Sequence, residues 1–245
     1  MFWALLALLG AFFSAAYFAG VKKFLHNVDQ YILISGVLLS SSIMLLLISV
    51  FRGIPILGEG FYTAVICTAS INFVAMILYL KVLQKIDLSL AMPMLSFTPV
   101  FLVLTSFLLL NEVPTLLVAF IYSLSSNFDK MVVTSSDAFF GSGVIYMITG
   151  ILFFIIAMVK TNNPLREYWR SGHKLILLGA ITVGEAATVN TALTLQIVPY
   201  VISLKRVSIL FSVFFGGILF QEKKMLQKGI GALIMVVGVA CILLW

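Results

Sequence analysis

The feature that most limits this chain is a series of long stretches without a charged side chain. Positions 1–21, 30–51, 60–80, 88–111 and 138–159 contain no Asp, Glu, Lys or Arg. A charge at the bilayer centre costs about 2.5–3.5 kcal/mol even on the mildest scale, and about 20 apolar residues suffice to cross. Each stretch therefore reads as a membrane span. The later part is less clean: 175–204 is broken by Glu185, and 207–221 and 229–245 follow. Three spans are assigned there, near 174–195, 200–220 and 227–245. Val113 to Phe128 is only 16 residues and becomes polar toward Asp129 and Lys130, so it crosses only if that pair lies at an interface. The literal count is nine candidate spans, one of them short.

Composition agrees. Of 245 residues, 62% are apolar and 10% charged, against about 25% charged in soluble domains. No soluble domain is expected. The excess of 15 Lys and Arg over 9 Asp and Glu belongs to short loops beside a membrane rather than to a nucleic-acid surface. No basic residue precedes Lys22, so the N-terminus reads as a retained first span rather than a cleavable signal. Cys67 and Cys241 lie in apolar runs without metal-like spacing. Backbone groups in lipid bond within the segment and period-two alternation is lacking, so the fold class is all-α, a polytopic transmembrane helix bundle. Small residues offer close helix contacts: Ala11, Ala15 and Ala19, then Gly216 and Gly217 as an interruption of a late helix, then Gly231 and Gly238.

The two halves resemble each other. Ala11 to Ser14 lines up with Phe120 to Ser123, and Asp29 followed by Ser35-Gly36-Val37 with Asp137 followed by Ser142-Gly143-Val144. Phe101 to Glu112 matches Phe211 to Glu222 at a constant offset of 110. Such repeats are a mark of secondary transporters, whose sites lie at the repeat interface. The run from Leu88 through Pro93 to Asn111-Glu112, its echo from Lys205-Arg206-Val207-Ser208 to Gln221-Glu222, and the closing helix from Lys228 to Gly238 resemble the EamA-type branch of the drug/metabolite transporter superfamily.

That resemblance implies ten helices in two inverted halves of five around a central substrate path. The halves fall at 2–112 and 115–245. Pro114 follows Glu112 with no room for a fifth helix, which predicts that about one helix is missing. Ten spans would put Lys22, Lys23, Lys81, Lys85, Lys160, Arg166, Arg170, Lys174, Lys223, Lys224 and Lys228 on one side, against Arg52 and Lys130, and the N-terminus outside. Nine spans would split these positive charges 8 to 5. Eight, with the short segment not crossing, would restore the inversion. A lost helix would expose a packing surface, which favours a homodimer.

Glu185 lies mid-span and reads either as a proton or cation-coupling group or as a structural carboxyl. Asn72 falls near the equivalent place in the first half, with Met76 and Tyr79 on its face at i+4 and i+7. It reads as helix–helix glue or a ligand contact. Lys205 and Arg206 have two competing readings, an anion-binding pair facing the cavity or side chains snorkelling to the headgroups. The favoured one has one of them snorkelling and Arg206 in the cavity, because its planar fork fits carboxylate or phosphate. A Glu185–Arg206 pair is the structural alternative. Ser14 with Tyr17, and Ser123 with Ser126 and Asn127, put polar groups on equivalent faces. Those serines line a path or bond their own turns. Pro93 and Pro99 kink their span, and Glu112 and Glu222 read as interfacial boundary residues.

Enzymatic constellations are missing. His26 and His173 fall in loops, Gly141-Ser142-Gly143 lacks a nucleophile frame, and no Walker A motif is present. No cofactor and no metal are expected. The reading is a plasma (inner) membrane transporter of a small-molecule substrate, facilitated or ion-coupled, working by alternating access. Its rivals are a non-transporting subunit or inactive remnant and, last, a membrane enzyme acting on lipid-linked substrates.

Overall fold

The computed structural model describes residues 2–84, 88–89, 125–126, 128–223 and 225–244. The described residues form helices and no strand: α1 (Phe2–Phe24), α2 (Gln30–Arg52), α3 (Phe61–Leu83), α4 (Phe140–Lys160), α5 (Pro164–Leu195), α6 (Val198–Lys205), α7 (Ser208–Phe220) and α8 (Met225–Leu244). Residues 128–134 are also helical. Among the described residues, six stretches are long and apolar enough to cross a membrane: Phe2–Phe24, Gln30–Arg52, Phe61–Lys81, Phe140–Lys160, Pro164–Leu195 and Tyr200–Phe220. Large apolar side chains on their outer faces, such as Phe51 and Val159, are exposed, as suits a lipid surrounding. Of the nine expected spans, the one at 88–111 lies outside the described residues beyond Ser89, as do Pro93, Pro99, Glu112 and Pro114.

Three expectations about the later helices change. The span expected from 174 begins at Pro164, whose missing N–H suits a first helical position. His173 therefore lies in α5, not in a loop. At ~1.5 Å per residue, the 32 residues of α5 are longer than the hydrocarbon core, so its first turns project beyond it. There Glu167 accepts the Asp29 N–H at 2.6 Å, and Tyr168 shares a short hydrogen bond with Ser35. Gly216 and Gly217 do not interrupt their helix, since α7 runs through both. The break falls earlier, at Arg206-Val207, between α6 and α7. Gly231 meets no neighbour within 4 Å.

α2 packs chiefly on α4 and α5, α1 on α5 and α7, and α3 on α4. Small residues make these seams. Ala7, Ala11, Ala15 and Ala19 are buried along α1. A Cβ on Gly179 would collide with Ser40 Oγ and come within 3.3 Å of the Ser41 nitrogen, so α2 and α5 touch almost backbone to backbone. That approach lets three consecutive serines of α2 donate to carbonyls of neighbouring helices: Ser40 to Leu175 at 3.2 Å, Ser41 to Gly179 at 3.1 Å and Ser42 to Gly143 at 2.8 Å. In lipid, such contacts replace the hydrophobic effect as the force between helices.

The repeat is visible in the geometry. Asp29 caps α2 by accepting the Tyr31 N–H at 2.8 Å, and Asp137 caps α4 by accepting the Phe139 N–H at 3.0 Å. Leu46 and Leu39 of α2 face Gly143 and Gly150 of α4, so these equivalent helices run antiparallel. The basic residues segregate accordingly. At one end Lys22 reaches Glu222, Lys174 lies over Phe24, Lys160 over Tyr31, and Gln84 bonds Gln30. At the other, Arg52 lies over Phe139, Gly58 bonds Ser135, and Lys130 bonds Gln196.

Single cysteines at Lys23 and Arg170, in a background lacking Cys67 and Cys241, are expected to react with an impermeant thiol reagent from the same face. Labelling from opposite faces would contradict this arrangement. Gly179→Val should lower stability by about 1–3 kcal/mol through overpacking, read as a lower unfolding midpoint in detergent. An unchanged midpoint would mean that α2 and α5 do not meet at this seam.

Candidate solute cavity

A cavity of about 200 Å³ lies inside the bundle. α1 supplies Ser14, Tyr17 and Phe18; α3 supplies Asn72, Met76 and Tyr79, one face as their spacing requires. α4 adds Ser142 and Tyr146, and α5 adds Thr182, Glu185 and Asn190. Lys205 and Arg206 enter from the break between α6 and α7, and Ser126 and Asp129 from the segment before α4. Of the residues singled out from sequence, Glu185, Arg206, Asn72, Lys205, Tyr17 and Ser126 therefore share one cavity. Asn127 and Ser123 lie outside the described residues.

Glu185 Oε1 and Lys205 Nζ are 2.7 Å apart. The pairing of Glu185 with Arg206 is thus replaced by one with Lys205, and Lys205 does not snorkel to the headgroups. The reason is positional. Lys205 ends α6 inside the bundle, opposite the middle of α5, where a carboxylate is the cheapest partner available in a low dielectric. Arg206 follows directly at the break and also lines the cavity, with its Nε buried and without a hydrogen-bond partner. Asn72 does both things expected of it: its Oδ1 accepts from Ser125 Oγ at 2.8 Å, and it lines the cavity.

Two groups escaped the sequence. Asp129, placed at an interface only if the short segment before it crosses, lines the cavity within the field of Lys205, because residues 128–134 continue the helix past the Asp129-Lys130 pair. Only Lys130 reaches the bundle end, donating to the Gln196 carbonyl at 2.6 Å. Asn190 was hidden in an apolar run. It donates to the Ala138 carbonyl at 3.0 Å and to Ser142 Oγ, which ties α5 to the start of α4. Among the described residues no group of three or more His, Cys, Asp or Glu could hold a metal.

Glu222 is not a simple boundary residue. Its side chain is 3% exposed and accepts from Lys22 at 3.1 Å, Lys228 at 3.3 Å, the Leu88 N–H at 3.0 Å, and Ser89. Gly216 makes the room, since a Cβ there would press on the carboxylate. The cluster joins α1, Leu88-Ser89 and the α7–α8 link at the basic end. Burial would raise this carboxyl, but the Ser89 hydroxyl and the Lys22 and Lys228 ammoniums outweigh it and hold it down at about 2.

A bundle of apolar helices, built from two antiparallel-related halves around a charged cavity, defines a polytopic integral membrane protein of the secondary-transporter class. The chain matches the EamA-like transporter family over residues 1–118 and again over 113–244. It belongs to that family, a membrane transporter of the drug/metabolite type rather than a member of an enzyme family. No match was found among curated proteins or solved structures.

Because the folded carboxyl of Glu222 titrates below its ordinary value of 4.5, its stabilisation is present above that value and lost as pH falls through about 2. Glu222→Gln should cost about 1.5–3 kcal/mol near neutral pH. The deficit should shrink as the pH is taken below 4.5. Unfolding of both proteins in detergent across pH checks it, and a deficit independent of pH would contradict the charged cluster.

Proposed function

We propose that the protein moves a small metabolite or drug-like solute across the plasma (inner) membrane by alternating access, with Glu185 as the coupling group. The observation that carries this reading is the Glu185–Lys205 pair, set on the wall of a cavity to which helices of both halves contribute. A carboxylate held by an ammonium inside a bundle can exchange that partner for another cation. An ion or proton that makes this exchange can be tied to solute movement. The discontinuous α6–α7 span fits the same cycle, because broken helices let one part of a bundle rock against another. A homodimer, with a second copy covering the surface left by a missing helix, belongs to the same proposal.

In proteoliposomes, Glu185→Gln is expected to lower gradient-driven flux about 10- to 100-fold, the worth of one charge-assisted contact, while the protein remains folded. Flux unchanged in both Glu185→Gln and Glu185→Ala would remove the coupling role. Absence of flux from the wild type with every solute tried would instead favour a non-transporting subunit or remnant.

A further inference from the structure

The charges that line the cavity are not all matched. Glu185 holds Lys205 at 2.7 Å, and Lys205 is also the cation whose field reaches Asp129. Arg206 stands apart: among the described residues no carboxylate reaches it, and its buried Nε has no hydrogen-bond partner. A guanidinium is always charged, and a buried charge without a partner is expensive. The break in the helix does not use it. The Arg206 N–H bonds the Ile202 and Ser203 carbonyls, Val207 bonds Leu204, Ile209 bonds Arg206, and Leu210 bonds Val207. The backbone on both sides of the break is therefore satisfied without the side chain.

We propose that Arg206 anchors the carboxylate of the transported solute, which makes the substrate class a small monocarboxylate with an apolar body. This rests on the transport reading above and narrows it. Two carboxylates, Glu185 and Asp129, and two cations, Lys205 and Arg206, line the cavity, but among the described residues no carboxylate pairs with Arg206, so its guanidinium is left for a single anionic group. A phosphate monoester carries about −1.5 to −2 at neutral pH and would add more negative charge than a carboxylate beside Glu185 and Asp129. The planar fork of Arg fits a carboxylate through two parallel bonds. Beside the polar groups, Phe18, Leu38, Met76, Ile145 and Leu193 give the wall apolar surface that suits a hydrocarbon body. The volume of about 200 Å³ lies below the roughly 300–1,000 Å³ of drug-sized sites, so the body is small.

The test is ligand-induced stabilisation of the purified full-length protein in nanodiscs, with flux measured in parallel. The probes are benzoate and isovalerate, their amides benzamide and isovaleramide, and benzyl phosphate. The acids are expected to bind at least ~10-fold more tightly than the isosteric amides, the worth of a hydrogen-bonded charge. Arg206→Gln should erase that difference, and Arg206→Lys should keep a weakened preference. The acid–amide comparison on the wild type decides the proposal even where a variant does not fold. Amides binding as well as acids, benzyl phosphate binding at least as well as benzoate, no binding by either acid, or an acid preference intact in Arg206→Gln would each overturn it. Acids that bind but do not move would leave the anchor standing and overturn the transport reading. Solutes that move without any acid preference would overturn only the anchor.

Discussion

Lipid offers no hydrogen bonds, so every polar group that this bundle carries into the membrane has to find its partner inside the protein. That constraint organises the molecule. The serines of α2 donate to α4 and α5, Asn190 of α5 reaches back to the first turn of α4, Asn72 accepts from Ser125, and Glu185 takes Lys205. All but the last of these contacts join segments distant in sequence, which hydrophobic packing alone does not do selectively in an apolar solvent. Among the described residues, the buried side-chain atoms left without a partner are four hydroxyls and Arg206 Nε. The hydroxyls belong to Ser49, Thr68, Thr149 and Thr161. A neutral hydroxyl is a modest loss, whereas a guanidinium is not. The accounting thus singles out the same place as the break in the helix.

The two halves use the same devices for different neighbours. Asp29 and Asp137 both cap the second helix of their half, and both are followed by a Ser-Gly-Val run. Yet Gly36 admits Leu175 of α5, while Gly143 admits Leu45 and Leu46 of α2. A duplicated pattern gives equivalent small surfaces, and the inverted arrangement decides what each surface meets. The charged residues break the likeness further. Glu185 and Lys205 belong to the second half, whereas Asn72 occupies the corresponding region of the first. An antisymmetric scaffold therefore holds an asymmetric cavity.

Much of this was readable in the residues. Charge-free stretches gave the helices, because the cost of a buried charge is local and large. The matching Asp and Ser-Gly-Val runs gave the repeat. Glu185, Asn72 and Arg206 stood out for the same reason they line a cavity: each is costly in an apolar helix unless something answers it. What escaped depended on contacts between distant segments. Nothing near Lys205 says that it meets Glu185 rather than a headgroup, and nothing near Glu222 says that Lys22, 200 residues earlier, lies against it. An interruption was expected at Gly216-Gly217, but the helix runs through both: Gly216 makes space for Glu222 and Gly217 for Met225. Asp129 was tied, together with Lys130, to an interface only on the condition that the short segment before them crosses. One helical step of about 100° separates the two side chains, enough to send one inward and the other to the bundle end.

The position of the break has a mechanical meaning. α2 and α5 are joined along their length by the Ser40, Ser41 and Gly179 contacts and by Glu167 and Tyr168 at the end, which makes them a stiff partition. α6 and α7 meet at a joint, and the joint residue is Arg206, whose side chain faces the cavity. Bending at that point swings the guanidinium, and a load on the guanidinium exerts torque on the backbone that carries it. In the transport cycle proposed above, hinge and sensor are one residue, so that cycle requires no relay through intervening side chains between an occupied cavity and a moving helix.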